Sequence, residues 1–116
     1  MNKRKFGIIG EKIAENFLKQ NGYIVLKNNF YTKKGEIDLI AKKNNCIIFI
    51  EVKTRSNYKY GTPAMAVNDI KKQHIKSAAN IFLYINKFDK YEIRFDVIEV
   101  LINNGKCYIN HIKNAM

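Results

Sequence analysis

The sequence predicts an α/β protein in which a mixed central sheet of about five strands carries a helix on each face. Two observations lead to this prediction. The chain reads in the order helix, three strands, helix, two strands, and residues 47–50 are apolar without interruption, as in a central strand covered on both sides. The length of 116 residues suits one hydrophobic core. We therefore predict a single domain over residues 1–116.

The predicted elements follow from hydrophobic spacing and turn residues. Phe6, Ile9, Ile13 and Phe17 recur at helical spacing, and Asn21-Gly22 ends this first helix. The tight turns are expected at Asn44-Asn45 and at Asn103-Asn104-Gly105. The predicted order is a helix over 6–20, strands over 23–31, 36–42 and 46–54, a helix over 66–86, and strands over 91–101 and 107–112.

The second helix is expected to follow a polar surface loop that ends at Pro63. Asp69 near its start suits the positive end of the helix dipole. The residues predicted to face the core are Val67, Ile70, Ala78, Ile81 and Ile85.

The charge balance is strongly basic, with 21 Lys and Arg against 10 Asp and Glu, a net charge of +11 and a pI near 9.7. Such a surplus favours nucleic acid or an anionic membrane surface as a partner, although a Lys-rich proteome would also produce it. No stretch reaches the ~18 apolar residues of a membrane span, and no secretory signal begins the chain, so we expect a cytoplasmic protein without membrane contact. Cys46 and Cys107 are expected to be reduced core residues.

The third predicted strand and its partner carry the acidic residues of interest. If Asn44-Asn45 are the only two loop residues of the hairpin, Asp38 lies opposite Glu51 and Glu36 lies opposite Lys53. Alternation then places Glu51 and Lys53 on one side of the sheet. A three-residue loop would move Asp38 out of step with Glu51, so this geometry depends on the turn.

Two carboxylates that face each other at the end of a buried strand repel, and burial increases the cost of keeping both ionised. A hard divalent ion such as Mg²⁺ between them would relieve this repulsion, polarise a phosphoryl oxygen and activate a water. Lys53 could orient that water or offset charge in the transition state. The alternative is a structural ionic cluster without metal, in which Lys53 neutralises Glu51 or Glu36. The spacing alone leaves both interpretations open.

The runs Gly-Glu-Ile-Asp-Leu-Ile over 35–40 and Phe-Ile-Glu-Val-Lys-Thr-Arg over 49–55 resemble the signature of the PD-(D/E)xK nucleases. In particular, they resemble the YraN-like family of small bacterial proteins proposed to be endonucleases, and the likeness covers nearly the whole chain. Ile37 stands where the signature has a proline. Further matching pieces are Gly10-Glu11, Ala14, Leu18, Gly22-Tyr23, Lys72-Gln73, Arg94-Phe95-Asp96 and Asn114-Ala115.

The resemblance implies a restriction-endonuclease-like three-layer core related to Holliday-junction resolvases. It implies that Asp38, Glu51 and the backbone carbonyl of Val52 hold Mg²⁺ or Mn²⁺. Lys53 would be the catalytic lysine, and Glu11 an additional acidic residue that reaches the metal through water. Without the family, Glu11 would be read as a solvated helix residue.

The resemblance also implies that Gln73 supports Lys53 or a phosphate, although an exposed helix glutamine is an equal alternative. Lysines of the second helix, Lys72 among them with Lys71 and Lys76, either face phosphate or are simply solvated. Alternating aromatic and basic residues suit contact with unpaired nucleic acid, although an ordinary polar loop would look the same. Those residues are Arg55, Tyr58, Lys59 and Tyr60.

Four further polar residues have no predicted role in the site. Arg94 and Asp96 share a strand face and are expected to form a structural ion pair. His111, like His74, has no sequence partner that suggests a metal site, and we assign neither a function.

These observations together predict a metal-dependent endonuclease that hydrolyses phosphodiester bonds in DNA. By resemblance, its substrate would be branched or structured DNA in repair or recombination, and a homodimer is compatible with that relationship. The first alternative is a nucleic-acid-binding protein that keeps the nuclease fold without catalysis. The second is a basic interaction protein for ribosomes, other proteins or anionic membranes, in which the acidic cluster is purely structural.

Overall fold

The structure is a computed structural model that describes residues 2–57 and 67–116. It contains a five-stranded sheet in the order β1-β2-β3-β4-β5, so the predicted α/β class with a mixed sheet of about five strands is confirmed. The elements are α1 (Lys3–Gln20), β1 (Ile24–Tyr31), β2 (Glu36–Lys43), β3 (Cys46–Arg55), α2 (Asp69–Asn86), β4 (Glu92–Asn103) and β5 (Lys106–Ile112).

The sheet is antiparallel from β1 to β3, parallel between β3 and β4, and antiparallel again between β4 and β5. The parallel pair is joined through α2, as such a crossover requires. In β3, Ile48 and Ile50 pack in one core with α1, whereas Ile47 and Phe49 pack in a second core with α2. The two helices therefore cover opposite faces of β3, which gives three layers.

The helix starts and the turns have local causes. The side chain of Asn2 accepts a hydrogen bond from the Lys5 amide, so α1 begins three residues earlier than its apolar spacing predicted. Asn44 has φ 54°, and Asn104 and Gly105 have φ 52° and 74°. Both predicted hairpin turns are confirmed, because such positive φ values suit Asn and Gly in tight turns.

The inward face of α2 differs in part from the prediction. Ile70 and Ile85 are 66% and 62% exposed, so their assignment to the core was wrong. The helix begins at Asp69 after the Asn68 cap. Its buried face is formed instead by Ile75, Ala78, Ala79 and Phe82. Of the other predicted core positions, Val67 and Ala78 are buried and Ile81 is half-buried. The predicted helix start at residue 66 and the loop end at Pro63 lie outside the described residues.

The cysteine prediction was also partly wrong. Both cysteines are free thiols, and Cys46 is half-buried and packs against the first core, but Cys107 is exposed. Cys107 lies near the start of β5, an edge strand whose first residues are exposed. Whether a cysteine in a strand is buried therefore depends on whether that strand is central or at the edge of the sheet. Neither of the helices in the described ranges is long and apolar enough to cross a membrane.

Two glycines allow helices to approach the sheet closely. A Cβ atom at Gly10 of α1 would overlap the side chain of Thr54 in β3. A Cβ at Gly35, just before β2, would lie 2.7 Å from the backbone oxygen of His74 in α2. Both helices are therefore seated against the ends of β2 and β3 at places where a side chain would not fit.

Replacement of Gly10 by Ala should destabilise the protein by about 1–3 kcal/mol, because the new methyl group must displace α1 from β3. Gly7→Ala is the matched control in the same helix, since a Cβ there meets no described atom within 4 Å. That control should be neutral or stabilise by up to about 1 kcal/mol. Urea denaturation of both variants measures the difference. Equal stability of the two variants would contradict the proposed close contact.

Candidate functional site

The hairpin between β2 and β3 has the predicted two-residue turn. Its pairs run from Lys43 with Cys46 to Leu39 with Ile50, which confirms the predicted register over this stretch. The paired ladder ends there, one position before the predicted pair of Asp38 and Glu51. The arrangement of the two carboxylates therefore depends on how the strands run beyond Leu39.

The Asp38 side chain replaces the next hydrogen bond of the ladder. Its Oδ2 atom accepts a hydrogen bond of 2.8 Å from the backbone amide of Val52. A backbone carbonyl of β2 would otherwise be the natural partner of that amide. This bond fixes the Asp38 carboxylate against the backbone of β3, at the residue that follows Glu51.

Glu51 is only 5% exposed and is paired with two lysines. Its Oε1 atom lies 2.8 Å from Nζ of Lys71 in α2 and 3.5 Å from Nζ of Lys53 in β3. Lys53 is a predicted site residue, whereas Lys71 was predicted only as one of the lysines that either face phosphate or are solvated. Lys71 lies four residues before the buried Ile75, on the same side of α2, and this spacing was the available signal.

The pKa values of two acidic side chains at this end of the sheet, Asp38 and Glu11, are raised. Burial, and next the charge of Glu51, raise the pKa of Asp38 to about 7, with a smaller contribution from Glu11. Burial also raises the pKa of Glu11, while a hydrogen bond with Asn29 opposes the shift and the charges of Glu36 and Glu51 add to it. Glu11 of α1 therefore belongs to the same electrostatic cluster as Asp38 and Glu51.

The donor atoms of this cluster suit a hard divalent ion. Mg²⁺ in proteins takes one or two carboxylates and keeps several waters, and Asp38 and Glu51 offer carboxylate oxygens. The described residues contain no group of three or more His, Cys, Asp or Glu side chains arranged to hold a metal. Asp38 and Glu51 are therefore two described side chains that could hold such an ion.

Of the other predicted site residues, only some lie beside the acidic cluster. Arg55 lines a cavity of about 540 Å³ together with Glu11 and Lys53, and its buried Nε atom has no hydrogen-bond partner among the described residues. Lys72 is half-buried and Gln73 is exposed. Gln73 lies about 200° around α2 from Lys71, and no described contact joins it to the cluster. Tyr58, Lys59 and Tyr60 lie outside the described residues.

Comparison with known proteins identifies the family. The profile described as "Uncharacterised protein family UPF0102" matches residues 10–100. The chain belongs to the UPF0102 family. A UPF0102 protein of Caldanaerobacter subterraneus subsp. tengcongensis is 45% identical, with 99% of this chain and 97% of the relative covered. UPF0102 proteins of Caldicellulosiruptor saccharolyticus and Natranaerobius thermophilus are 47% and 48% identical, each with 99% of both chains covered.

These relatives confirm the resemblance to YraN-like proteins at the level of the family. Their names state no reaction, substrate or cofactor. The profile begins at Gly10, the glycine at which α1 meets β3, and it includes both β2 and β3. The cluster of the UPF0102 chain thus lies within the part of the sequence that defines the family.

A second buried ionic cluster lies on the α1 face of the sheet. Asp96 of β4 is fully buried, and Arg94 donates hydrogen bonds to it, the shortest being 2.9 Å. The predicted ion pair is confirmed. Nε2 of His111 lies 2.7 Å from the same carboxylate, and the Asn114 amide donates to it at 3.0 Å. Arg94 also donates to the hydroxyl of Tyr23.

Sequence reasoning missed the role of His111, because its partner Asp96 is 15 residues away and is reached only when β5 folds onto β4. Burial opposes ionisation of Asp96, but the hydrogen bonds from His111 and Arg94 outweigh it and lower the pKa of the carboxyl. The cluster ties the end of the chain to β4, and it is a structural feature separate from the acidic site.

Asp96→Ala should destabilise the UPF0102 chain by about 3–5 kcal/mol, because Arg94 would be left half-buried without its counter-charge. The exposed Asp89 provides the matched control, and Asp89→Ala should change stability by less than about 0.5 kcal/mol. Thermal and urea denaturation at pH 7 measure both. If the two variants unfold alike, the cluster does not hold the fold together.

The raised pKa of Asp38 predicts a pH dependence of the protein without metal. Between the ordinary value of 3.8 and about 7, the folded state retains a proton that the unfolded state has released. Stability in EDTA should therefore fall as pH rises through this window. Asp38→Asn keeps an acceptor for the Val52 amide but does not ionise, and it should remove most of this fall, roughly 4 kcal/mol.

Urea denaturation at intervals between pH 4 and pH 8 provides the measurement. Glu92→Gln serves as the control, because it removes an exposed carboxylate that lies outside the acidic cluster. A wild-type profile that the Asp38→Asn substitution leaves unchanged would show that Asp38 titrates normally.

Proposed function

We propose that this UPF0102 protein is a metal-dependent endonuclease of the PD-(D/E)xK superfamily that hydrolyses phosphodiester bonds in DNA. The observation that carries the proposal is the bond between Asp38 and the Val52 amide, which brings one carboxylate to the end of β3 beside buried Glu51. Lys53 and Glu11 lie around the same point. This set combines oxygen donors for a cation with an amine close to them.

In the proposed mechanism, Asp38, Glu51 and the backbone carbonyl of Val52 would hold Mg²⁺ or Mn²⁺. When bound, such an ion polarises a phosphoryl oxygen and lowers the pKa of a coordinated water. Lys53 would orient the attacking water and stabilise negative charge that develops on the phosphate. Glu11 would accept a hydrogen bond from a water in the site.

Two other basic residues have roles in this proposal. Lys71 forms an ion pair with Glu51 in the absence of substrate and balances the charge of a buried carboxylate. Arg55 lines the cavity that reaches Lys53, where its guanidinium group suits contact with a phosphate of the substrate. In this proposal both residues balance negative charge, and neither forms a covalent bond with the substrate.

The net charge of +11 supports a polyanionic substrate. We propose DNA, and branched or structured DNA by resemblance to junction resolvases, which act as homodimers. The proposal places the protein in the cytoplasm with nucleic acid as its partner. A role for Gln73 and Lys72 near the bound strand remains part of this proposal.

A second candidate function is nucleic-acid binding without catalysis. It is favoured by the two lysines on Glu51, because a carboxylate already neutralised by Lys71 and Lys53 has less need of a metal. In that case, the acidic cluster would be structural. The two candidates differ in whether divalent ions bind and in whether DNA is cut.

A cleavage assay separates the candidates. Plasmid and four-way-junction DNA should be cut by the protein with Mg²⁺ or Mn²⁺ but not with EDTA. Glu51→Gln and Lys53→Met should each lower the rate by about 100-fold or more, as loss of a charge-stabilising group in an active site does. Glu92→Gln and Lys106→Met, which change the same charges at exposed positions elsewhere, should cut normally.

Calorimetric titration with Mn²⁺ gives a second measurement that does not need cleavage. The wild-type protein should bind Mn²⁺ more tightly than the Asp38→Asn variant. Cleavage that persists in the Glu51 and Lys53 variants would reject this site. DNA binding without cleavage under every metal condition, together with equal Mn²⁺ binding by Asp38→Asn, would favour the second candidate.

A further inference from the structure

Two cavities open beside the acidic cluster and share one wall. A cavity of about 540 Å³ reaches Lys53 and Arg55, and a cavity of about 440 Å³ reaches Asp38. Both are lined by Lys3, Gly7 and Glu11, which lie at successive turns of α1. We call the two cavities and this shared wall the α1 trough.

The middle of the shared wall is a glycine that packing does not explain. A Cβ atom at Gly7 would meet no described atom within 4 Å, in contrast to Gly10. Glycine inside a helix costs about 1 kcal/mol relative to alanine. Gly7 thus lowers helix stability without enabling any described close contact, and it leaves open space on the wall that the two cavities share.

The chemistry of the trough suits a strand of nucleic acid. Lys3 and Arg4 line the side that reaches Asp38, and Arg55 lies at the other end. These cations can contact successive phosphates. Tyr31 lines the same cavity as Arg4 and is 69% exposed, so most of its ring is accessible to a stacking partner. A base can stack on such a ring only when it is not enclosed in a duplex.

We propose that the α1 trough binds an unpaired strand of nucleic acid, whose backbone crosses α1 at Gly7 while one base stacks on Tyr31. This inference rests on the proposed function, because it names the part of a DNA substrate that enters the site. The strand passes Glu11 at the junction of the two cavities, next to the carboxylates of the acidic cluster. Substrates with unpaired segments are therefore preferred over uninterrupted duplex.

The test is binding of a fluorescein-labelled 12-nucleotide single strand of DNA, measured by anisotropy in EDTA. Gly7→Leu should weaken binding by at least tenfold, because its side chain fills the path, while the melting temperature stays the same or rises. Asn16→Leu, at an exposed position of α1 that lines neither cavity, should bind within threefold of the wild type. Both variants favour the helix, so a folding defect does not explain a loss.

Tyr31→Ala should weaken binding of the single strand by about fivefold or more, as loss of one stacked base does. Tyr108→Ala is the matched control, since Tyr108 is 55% exposed on β5 at the opposite edge of the sheet. It should bind like the wild type. A 12-base-pair duplex probe should bind more weakly than the single strand and should respond less to both the Gly7 and Tyr31 substitutions.

Unchanged single-strand binding by Gly7→Leu, equal losses for duplex and single strand, or no binding of the single strand by the wild type would each overturn the proposal. Binding in EDTA does not depend on cleavage, so the two proposals can fail separately. Losses in Gly7→Leu and Tyr31→Ala without cleavage under any metal condition would reject the nuclease and keep the trough. Metal-dependent cleavage with normal binding by Gly7→Leu would reject the trough alone.

Discussion

The hydrogen bond from the Val52 amide to the Asp38 carboxylate determines the arrangement of the candidate site. An ordinary antiparallel ladder would use that amide for a backbone carbonyl and would leave Asp38 free to turn toward solvent. The side chain takes the position of the carbonyl instead, so an ionisable group is held against the backbone at the end of β3. Because this end is also buried, Asp38 experiences both the loss of water and the charge of Glu51.

The basic residues around the cluster offset the cost of burying its carboxylates. Buried Glu51 has two direct cationic partners, because Lys71 approaches it from a helix and Lys53 from its own strand. Asp38 has no such direct partner among the described residues, and burial together with the charge of Glu51 raises the pKa of its carboxyl. The cluster is thus incompletely neutralised on one side. That asymmetry is what a divalent ion would relieve, and it explains why we prefer a catalytic site to a structural ionic cluster.

The sequence was sufficient to predict the local geometry, but it was insufficient to predict contacts between elements that lie far apart in the chain. The turn at Asn44-Asn45 could be predicted because Asn tolerates positive φ, and the turn then determined the register of the hairpin. The pairing of His111 with Asp96 could not be predicted, because it depends on how β5 lies beside β4. Likewise, the spacing of apolar residues in α2 admitted Ile70 and Ile85 as core positions. Only the sheet, by contacting the stripe through Ile75, decided which side of the helix is buried.

The two glycines of α1 show how one helix both builds the site and leaves it accessible. Gly10 lets the helix approach Thr54, and the next residue, Glu11, is thereby brought to the cavities that reach Lys53 and Asp38. A larger residue at position 10 would move Glu11 away from the carboxylates whose charges contribute to its raised pKa. One turn earlier, Gly7 has open space instead of a close contact. The same residue type therefore satisfies opposite requirements, close packing at one position and free passage at the other, and only the surroundings of each Cβ distinguish them.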